Sequence, residues 1–358
     1  MIILTAVGDI FPGNLPYHVS NGIASSFFRH QGKPWATSMK ACFEGSDIGL
    51  ANLESPLLGE DDKPHQIEFA GSTEFAAFLS QMGINVVSVA NNHILEQGAD
   101  GFALTLKTLP QNGIQVIGTY TETGSNILKI EKNGLSIALA AFNDIRDIAN
   151  PNLHGDFSEH NVLESIKAMA GADFKVLVFH WGNEYVHVPS YDQITLAKRF
   201  IDAGADIIIG HHPHVVQPAM HYKHGIILFS LGNYLFDLTY RENVRIGMTA
   251  RFELIKGHIP KYTLQGIRIR DDYTPTVLSE KTFARILGKH EALFEKYLHM
   301  TEDDYRREYL AMWKRNRLLQ RIWMKKDLLN KLPKMSKREH NLLLQRVLSL
   351  FSFRGRII

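Results

Sequence analysis

Three histidines, His211, His212 and His214, stand within four residues directly after Gly210. A loop has no packing reason to gather three imidazoles, and neutral imidazole is the commonest side-chain ligand for metals. Four other short segments offer related chemistry: Gly8-Asp9, Asn52-Leu53-Glu54, Asn91-Asn92-His93 and His180-Trp181-Gly182-Asn183-Glu184. Hard carboxylate and carboxamide oxygens combined with imidazole nitrogens suit manganese, iron or zinc. The chain has a single cysteine, Cys42, which argues against a closed structural zinc site.

Taken alone, each segment has a structural explanation. Gly8-Asp9 reads as a strand-ending Asx turn, Asn91-Asn92-His93 as a helix cap, Glu54 as a solvated loop residue and His180 as a core histidine bonded to backbone. Position is what sets them apart. β-Branched runs at residues 2–7, 47–51, 85–90, 175–179 and 205–209 each lead straight into one of the five segments. In open α/β sheets, ligands bind outside the carboxyl ends of the strands, so five such ends can converge on one point.

The elements that would hold these ends follow from the pattern. Further strand runs lie at 115–118 and 135–142. Helical patterns lie at 73–82 with Ser72 as cap, at 100–109 stopping at Pro110, and at 191–203 stopping at Gly204. This alternation predicts an α/β sheet covered on both faces. After Pro213, consecutive strands at 215–222, 225–230, 245–255 and 258–269 predict a mixed sheet, the last two strands joined at Lys256-Gly257. Beyond about Leu278 strands cease. Thr301 caps a long helix with an acidic first turn, ended by Pro333, and Ser336-Lys337-Arg338-Glu339 is a capping box before a helix at 342–351.

The 358 residues are 45% hydrophobic, enough for a sizeable core. The net charge of +2 conceals an asymmetry: residues 281–358 hold 19 basic against 8 acidic side chains, residues 1–280 hold 20 against 29. Two regions are therefore expected, 1–280 carrying the site and 281–358 forming a basic helical extension. In the extension, Tyr305, Tyr309, Met312, Trp313, Leu319, Ile322 and Trp323 recur at helical spacing as one stripe, among Lys314, Arg315, Arg317, Arg321, Lys325 and Lys326. Such a helix packs on its own domain, lies on a membrane or anionic polymer, or takes a protein partner. It lacks helix-turn-helix and zinc-finger signatures, so nucleic acid is not the expected partner. No signal-peptide pattern and no apolar run of about 18 residues is present. With one cysteine, the expectation is a cytoplasmic protein, peripheral at the inner membrane face if the extension binds lipid.

Six stretches, VGDIFPGN, ANLESPL, VVSVANNH, FHWGNEY, GADIIIGHHPHVVQP and FSLGNYLFD, resemble in order and spacing the CapA-type poly-γ-glutamate capsule-biosynthesis family, a relative of calcineurin-type metallophosphoesterases. The resemblance covers about residues 2–240. It implies two mixed sheets sandwiched between helices and a site for one or two divalent ions, manganese, iron or zinc. Asp9, Asn92, His180, His212 and His214 would be ligands, with Glu54 or Asn52 bridging. His93 would be the acid or would stabilise the transition state, His211 and Glu184 would assist, and Asn91 and Asn233 would line the substrate site. Three departures stand out: Phe11 replaces the first motif's histidine, Asn/Glu chemistry replaces the bridging aspartate, and Glu96-Gln97-Gly98 follows the NNH motif. The implied substrate is a phosphoester or a γ-glutamyl amide. The alternative is an accessory protein of polymer assembly or export with a structural or vestigial metal site.

Overall fold

The structure is a computed structural model that describes residues 1–15, 18, 21–59, 69–121, 124–145, 157–334, 337 and 340–341. The expected capping box at Ser336 and helix at 342–351 lie outside the described residues.

The chain begins β1 (Ile2–Ile10), α1 (Ile23–His30), α2 (Lys33–Phe43), β2 (Ile48–Leu53), β3 (Leu57–Leu58), β4 (Gly71–Ser72), α3 (Glu74–Gln81) and β5 (Val86–Ser88). It continues α4 (Gly98–Gln111), β6 (Gln115–Ile117), β7 (Tyr120–Thr121), β8 (Gly124–Ser125), β9 (Leu128–Lys132), β10 (Leu135–Asn143), α5 (Glu159–Ala168), β11 (Phe174–His180), α6 (Tyr191–Asp202) and β12 (Ile207–His211). Then come β13 (Ala219–Tyr222), β14 (Gly225–Leu228), β15 (Asn233–Leu235), α7 (Glu242–Arg245), β16 (Ile246–Leu254), β17 (Lys261–Ile269), β18 (Pro275–Val277), α8 (Glu280–Leu298) and α9 (Glu302–Lys331).

Two mixed sheets result. One runs β18-β17-β16-β1-β2-β5-β6, with β15 also paired to β1; the other runs β13-β14-β12-β11-β10-β9. Side chains alternate across each strand and sort into layers. Ile2, Leu4 and Ala6 meet Val176, Val178, Ile207 and Ile209 between the sheets. Val7 and Ile10 face Phe27, Trp35 and Phe75 of α1–α3. Leu177, Phe179 and Ile208 face Phe200 of α6 and Tyr305 of α9. Strands buried on both faces read as continuous apolar runs, which is why their ends are so sharply marked by polar residues.

Several boundaries differ from expectation. α4 runs through Pro110 to Gln111 rather than stopping before it, and the Asn112 and Gly113 N–H groups close its end on the Leu109 and Pro110 carbonyls. Ser72 precedes the N-cap Thr73, yet its hydroxyl still accepts the Glu74 N–H at 3.2 Å. The strand expected at 215–222 shrinks to Ala219–Tyr222, with a lone bridge at Val216, because the chain there turns around the histidine loop. The long terminal helix is capped by Thr301, whose hydroxyl takes the Asp304 N–H. Its stripe, however, is not one face. Tyr305, Tyr309 and Met312 are buried against the second sheet's helices, while Ile322 and Trp323 are exposed. A helix of 30 residues is about 45 Å long and passes beyond the surface that covers its first turns.

Candidate metal centre

Four strand ends and a loop bring the polar segments together. β1 pairs in parallel with β2, so Asp9 lies beside Asn52. β11 pairs with β12, so His180 lies beside His211. The two sheets meet here because backbone passes very close to two glycines. A Cβ on Gly8 would stand 2.0 Å from the Gly232 carbonyl oxygen, and one on Gly210 would stand 1.9 Å from that of Phe229. No side chain fits at either place, so the segment before β15 seals both strand ends.

Asp9 is fully buried. Its Oδ1 accepts from Asn52 Nδ2 at 2.9 Å and meets His211 Nδ1 at 2.9 Å. Its Oδ2 accepts the His212 backbone N–H at 3.3 Å and lies 3.6 Å from His214 Nδ1. Burial alone would raise the Asp9 carboxyl, but the bond to His211 and the His211 and His214 charges outweigh it and hold it low.

Asn92 Oδ1, His180 Nε2 and His212 Nδ1 form a second group. His180 Nε2 is 2.9 Å from the Asn92 oxygen and 3.2 Å from His212 Nδ1. Burial drives His180 well below the ordinary histidine value and His212 down to about 3, helped by the neighbouring imidazoles. Both are neutral, as metal ligands must be. His212 and His214 hold positive φ, 93° and 54°. This is uncommon backbone for residues other than glycine, and such strain concentrates at functional sites.

Glu54 stands between the two groups. Its Oε1 is 4.0 Å from His93 Nε2, 3.8 Å from His180 Nε2 and 3.7 Å from His214 Nε2. Both of its carboxylate oxygens are buried without a hydrogen-bond partner. Burial, then the Asp9 and Glu184 charges, push its carboxyl well above the usual range. An anion left in this state lacks a counter-charge, and a divalent cation between Asp9, Glu54 and His214 fits, since one ligand atom of each lies within 4.8 Å of the others. Asn52, the rival bridging residue, has its amide committed: its nitrogen serves Asp9 and its oxygen accepts from Asn91 Nδ2 at 3.1 Å.

The remaining expected residues fall around this cluster. His93 is the one imidazole with solvent access, its side chain 21% exposed. Its Nδ1 is 3.1 Å from Glu96 Oε1 and its ring stacks on Phe69 at 4.7 Å. Asn91 takes the His93 backbone N–H on its own oxygen. Asn233 Oδ1 fixes His214 Nδ1 at 2.9 Å while its nitrogen donates to the Val244 carbonyl. Glu184 is half-buried and reaches the cluster through its charge on Glu54. Glu96 and Phe69 were not among the expected site residues. The i, i+3 spacing from His93 could have found Glu96; nothing in the sequence points to Phe69. Phe11 stacks on Phe236 at 4.8 Å and meets Phe69 edge-on at 5.5 Å, so an aromatic cluster holds the position where the resemblance implies a histidine.

Comparison with known proteins gives this cluster its family. A family model described as bacterial capsule synthesis protein PGA_cap matches residues 3–238. The chain belongs to that family. It is 34% identical over 254 residues to the capsule biosynthesis protein CapA of Bacillus anthracis, covering 66% of this chain and 60% of that protein. It is 29% identical over 300 residues to the PGA biosynthesis protein CapA of Bacillus subtilis, covering 79% of this chain and 77% of that one. Among solved structures, a putative 5'-nucleotidase from Staphylococcus aureus aligns with a TM-score of 0.50 at 14% identity, over 81% of this chain and 58% of that chain. The PGA_cap member thus has the metallophosphatase-like sandwich of two mixed sheets, with α8 and α9 as its helical extension. Among the described residues, no helix is long and apolar enough to cross a membrane.

Proposed function

We propose that this protein is a divalent-metal-dependent hydrolase of capsule or poly-γ-glutamate biosynthesis, acting on a phosphoester or a γ-glutamyl amide. The observation that carries this reading is Glu54, a buried carboxylate with no hydrogen bond, set among imidazole nitrogens from separate segments. Asp9 and His214 would hold one ion, Asn92, His180 and His212 another, and Glu54 would serve both. The donor set is oxygen and imidazole, which suits manganese, iron or zinc. Bound ions would supply Lewis acidity to a phosphoryl or acyl oxygen and make water nucleophilic near neutral pH.

The protein's own groups have separable tasks in this reading. His93 Nε2 accepts from Asn92 Nδ2 at 3.1 Å and, once protonated, would give its proton to the leaving group, while Glu96 holds Nδ1 and Phe69 limits rotation of the ring. His211 and Asn52 aim Asp9, and Asn233 aims His214. Supporting bonds of this kind fix ligand orientation and tautomer. Asn91 ties the Asn52 strand end to the His93 loop, and Glu184 would act through its charge on Glu54.

A second reading rests on Phe11. With an aromatic ring in that place, the Asp9 side has one ligand fewer, and the cluster would then be a structural site in an accessory protein of polymer assembly. Metal analysis followed by turnover on phosphoesters and γ-glutamyl amides separates the two. Metal with turnover supports the hydrolase, metal without turnover on any of them supports the accessory protein, and no metal binding on titration removes both.

A further inference from the structure

The second half of α9 is built the wrong way round for a helix that merely packs on its own domain. Its inward strip is Asn316, Gln320 and Met324. Asn316 Nδ2 donates to the Tyr185 carbonyl at 2.8 Å, Arg241 Nη1 donates to Gln320 Oε1 at 3.3 Å, and Met324 rests on the Phe11–Phe236 cluster. Gln320 is almost wholly buried, whereas Leu318 is 60%, Ile322 52% and Leu329 64% exposed. Leu318, Ile322, Lys325 and Leu329 follow i, i+4, i+7, i+11 spacing and so share the outward face. Asn316 and Gln320 thus take inward positions while Leu318, Ile322 and Leu329 face away from the body.

Charge flanks this ridge. Lys314, Arg315, Arg321, Lys325 and Lys326 are all exposed. Between Lys314 and Lys331 the only acid is Asp327, which pairs with Lys331 at 2.6 Å. Trp323 is 40% exposed, with Lys326 Nζ 4.9 Å from its ring centre. Aliphatic side chains along one line, cations on both sides and an exposed tryptophan are the features of a helix lying in a bilayer interface. The first half of α9 is anchored by Tyr305, whose hydroxyl donates to the Pro189 carbonyl at 2.7 Å, and by the Arg306–Asp192 pair, so the ridge is presented on a fixed support.

We propose that the ridge Leu318–Ile322–Leu329 with its flanking cations docks this protein on an anionic lipid bilayer. A polyanionic polymer satisfies the cations and leaves the three aliphatic side chains in water. A second copy of the chain brings a like-charged ridge against this one. The proposal is independent of what the metal centre does.

Co-sedimentation of the full chain with vesicles of phosphatidylcholine alone, and of phosphatidylcholine mixed equally with phosphatidylglycerol, tests it. Binding is expected to the anionic vesicles, weakening from about 0.1 M to about 1 M salt as the screening length falls from about 10 to about 3 Å. Trp323 emission should shift to the blue on binding, and Trp323→Phe should abolish that shift. Leu318→Glu with Ile322→Glu and Leu329→Glu should abolish binding without lowering the melting temperature, because these side chains touch solvent. Arg321→Glu with Lys325→Glu should weaken it by about tenfold or more. The proposal is overturned if anionic vesicles are ignored at the lower salt, or if neither variant changes binding. It is also overturned if poly-γ-glutamate binds while vesicles do not, or if the aliphatic variant merely converts a dimer to monomer.

Discussion

The two halves of the candidate metal centre are unequally equipped. On one side, the Asn92 oxygen and His212 Nδ1 lie 2.9 and 3.2 Å from His180 Nε2, three candidate ligand atoms from three segments. On the other, the His214 ring lies against Phe236, on which Phe11 stacks, and Asp9 Oδ1 is already engaged by Asn52 and His211. A metal site gains affinity from each ligand and from the groups that orient it. The His180 side should therefore bind its ion tightly and the Asp9 side weakly, with Glu54 coupling them. In the two-ion reading proposed above, a single residue of the first motif, Phe11, would make the two ion positions unequal.

The largest expected effect is at the well-equipped half. His212→Ala should lose the tightly held ion and with it all measurable turnover; retention of full metal content in that variant would refute the assignment. Next comes His93→Ala, which should lower turnover by about 10²–10⁴-fold, the scale of general acid catalysis, while metal content stays unchanged. If the two variants lose metal equally, the division of tasks between them is wrong.

Phe11→His should sharpen the contrast from the other side. It should tighten the weak ion by at least about 10–100-fold, the range that even an outer partner of a ligand contributes. It should also lower stability somewhat, since the ring leaves its stack on Phe236. Unchanged affinity for the second ion would mean that Phe11 is not what limits that half.

The smallest effect separates acid loss of activity from acid loss of fold. His187 stacks on His290 of α8 at 4.1 Å, outside the proposed ligand set, and burial holds them at about 3 and about 4, below the ordinary 6.5. Each also has a buried Nδ1 without a partner. The unfolded chain binds protons there that the folded chain does not, so stability is full above about 6.5 and falls as pH drops toward about 4. Melting temperature should decline over that window, and less steeply in His290→Leu; identical slopes would show that the pair does not govern it.

Much of this was legible because strands buried on both faces end abruptly in polar residues, so Asp9, Glu54, Asn92, His180 and His212 announced themselves. What escaped was set by tertiary contact. The choice between Asn52 and Glu54 depended on which side chain already had partners, and no spacing shows that. Phe69 reaches His93 from a segment without a motif of its own. The stripe on α9 has a continuous helical period, but only the structure shows where the body beneath it stops burying it. Helices α1, α2 and α5 were not foreseen, although Gly32, Gly45 and Gly171 stand just past their ends in left-handed conformation.

The most direct test is metal titration by calorimetry, with elemental analysis, on the wild-type chain beside Phe11→His and His212→Ala. The account predicts one tight and one weak equivalent in the wild type, two tight equivalents in Phe11→His, and no tight equivalent in His212→Ala. Failure of the wild-type protein to bind any divalent ion, or two equally tight equivalents that His212→Ala leaves unchanged, would contradict it.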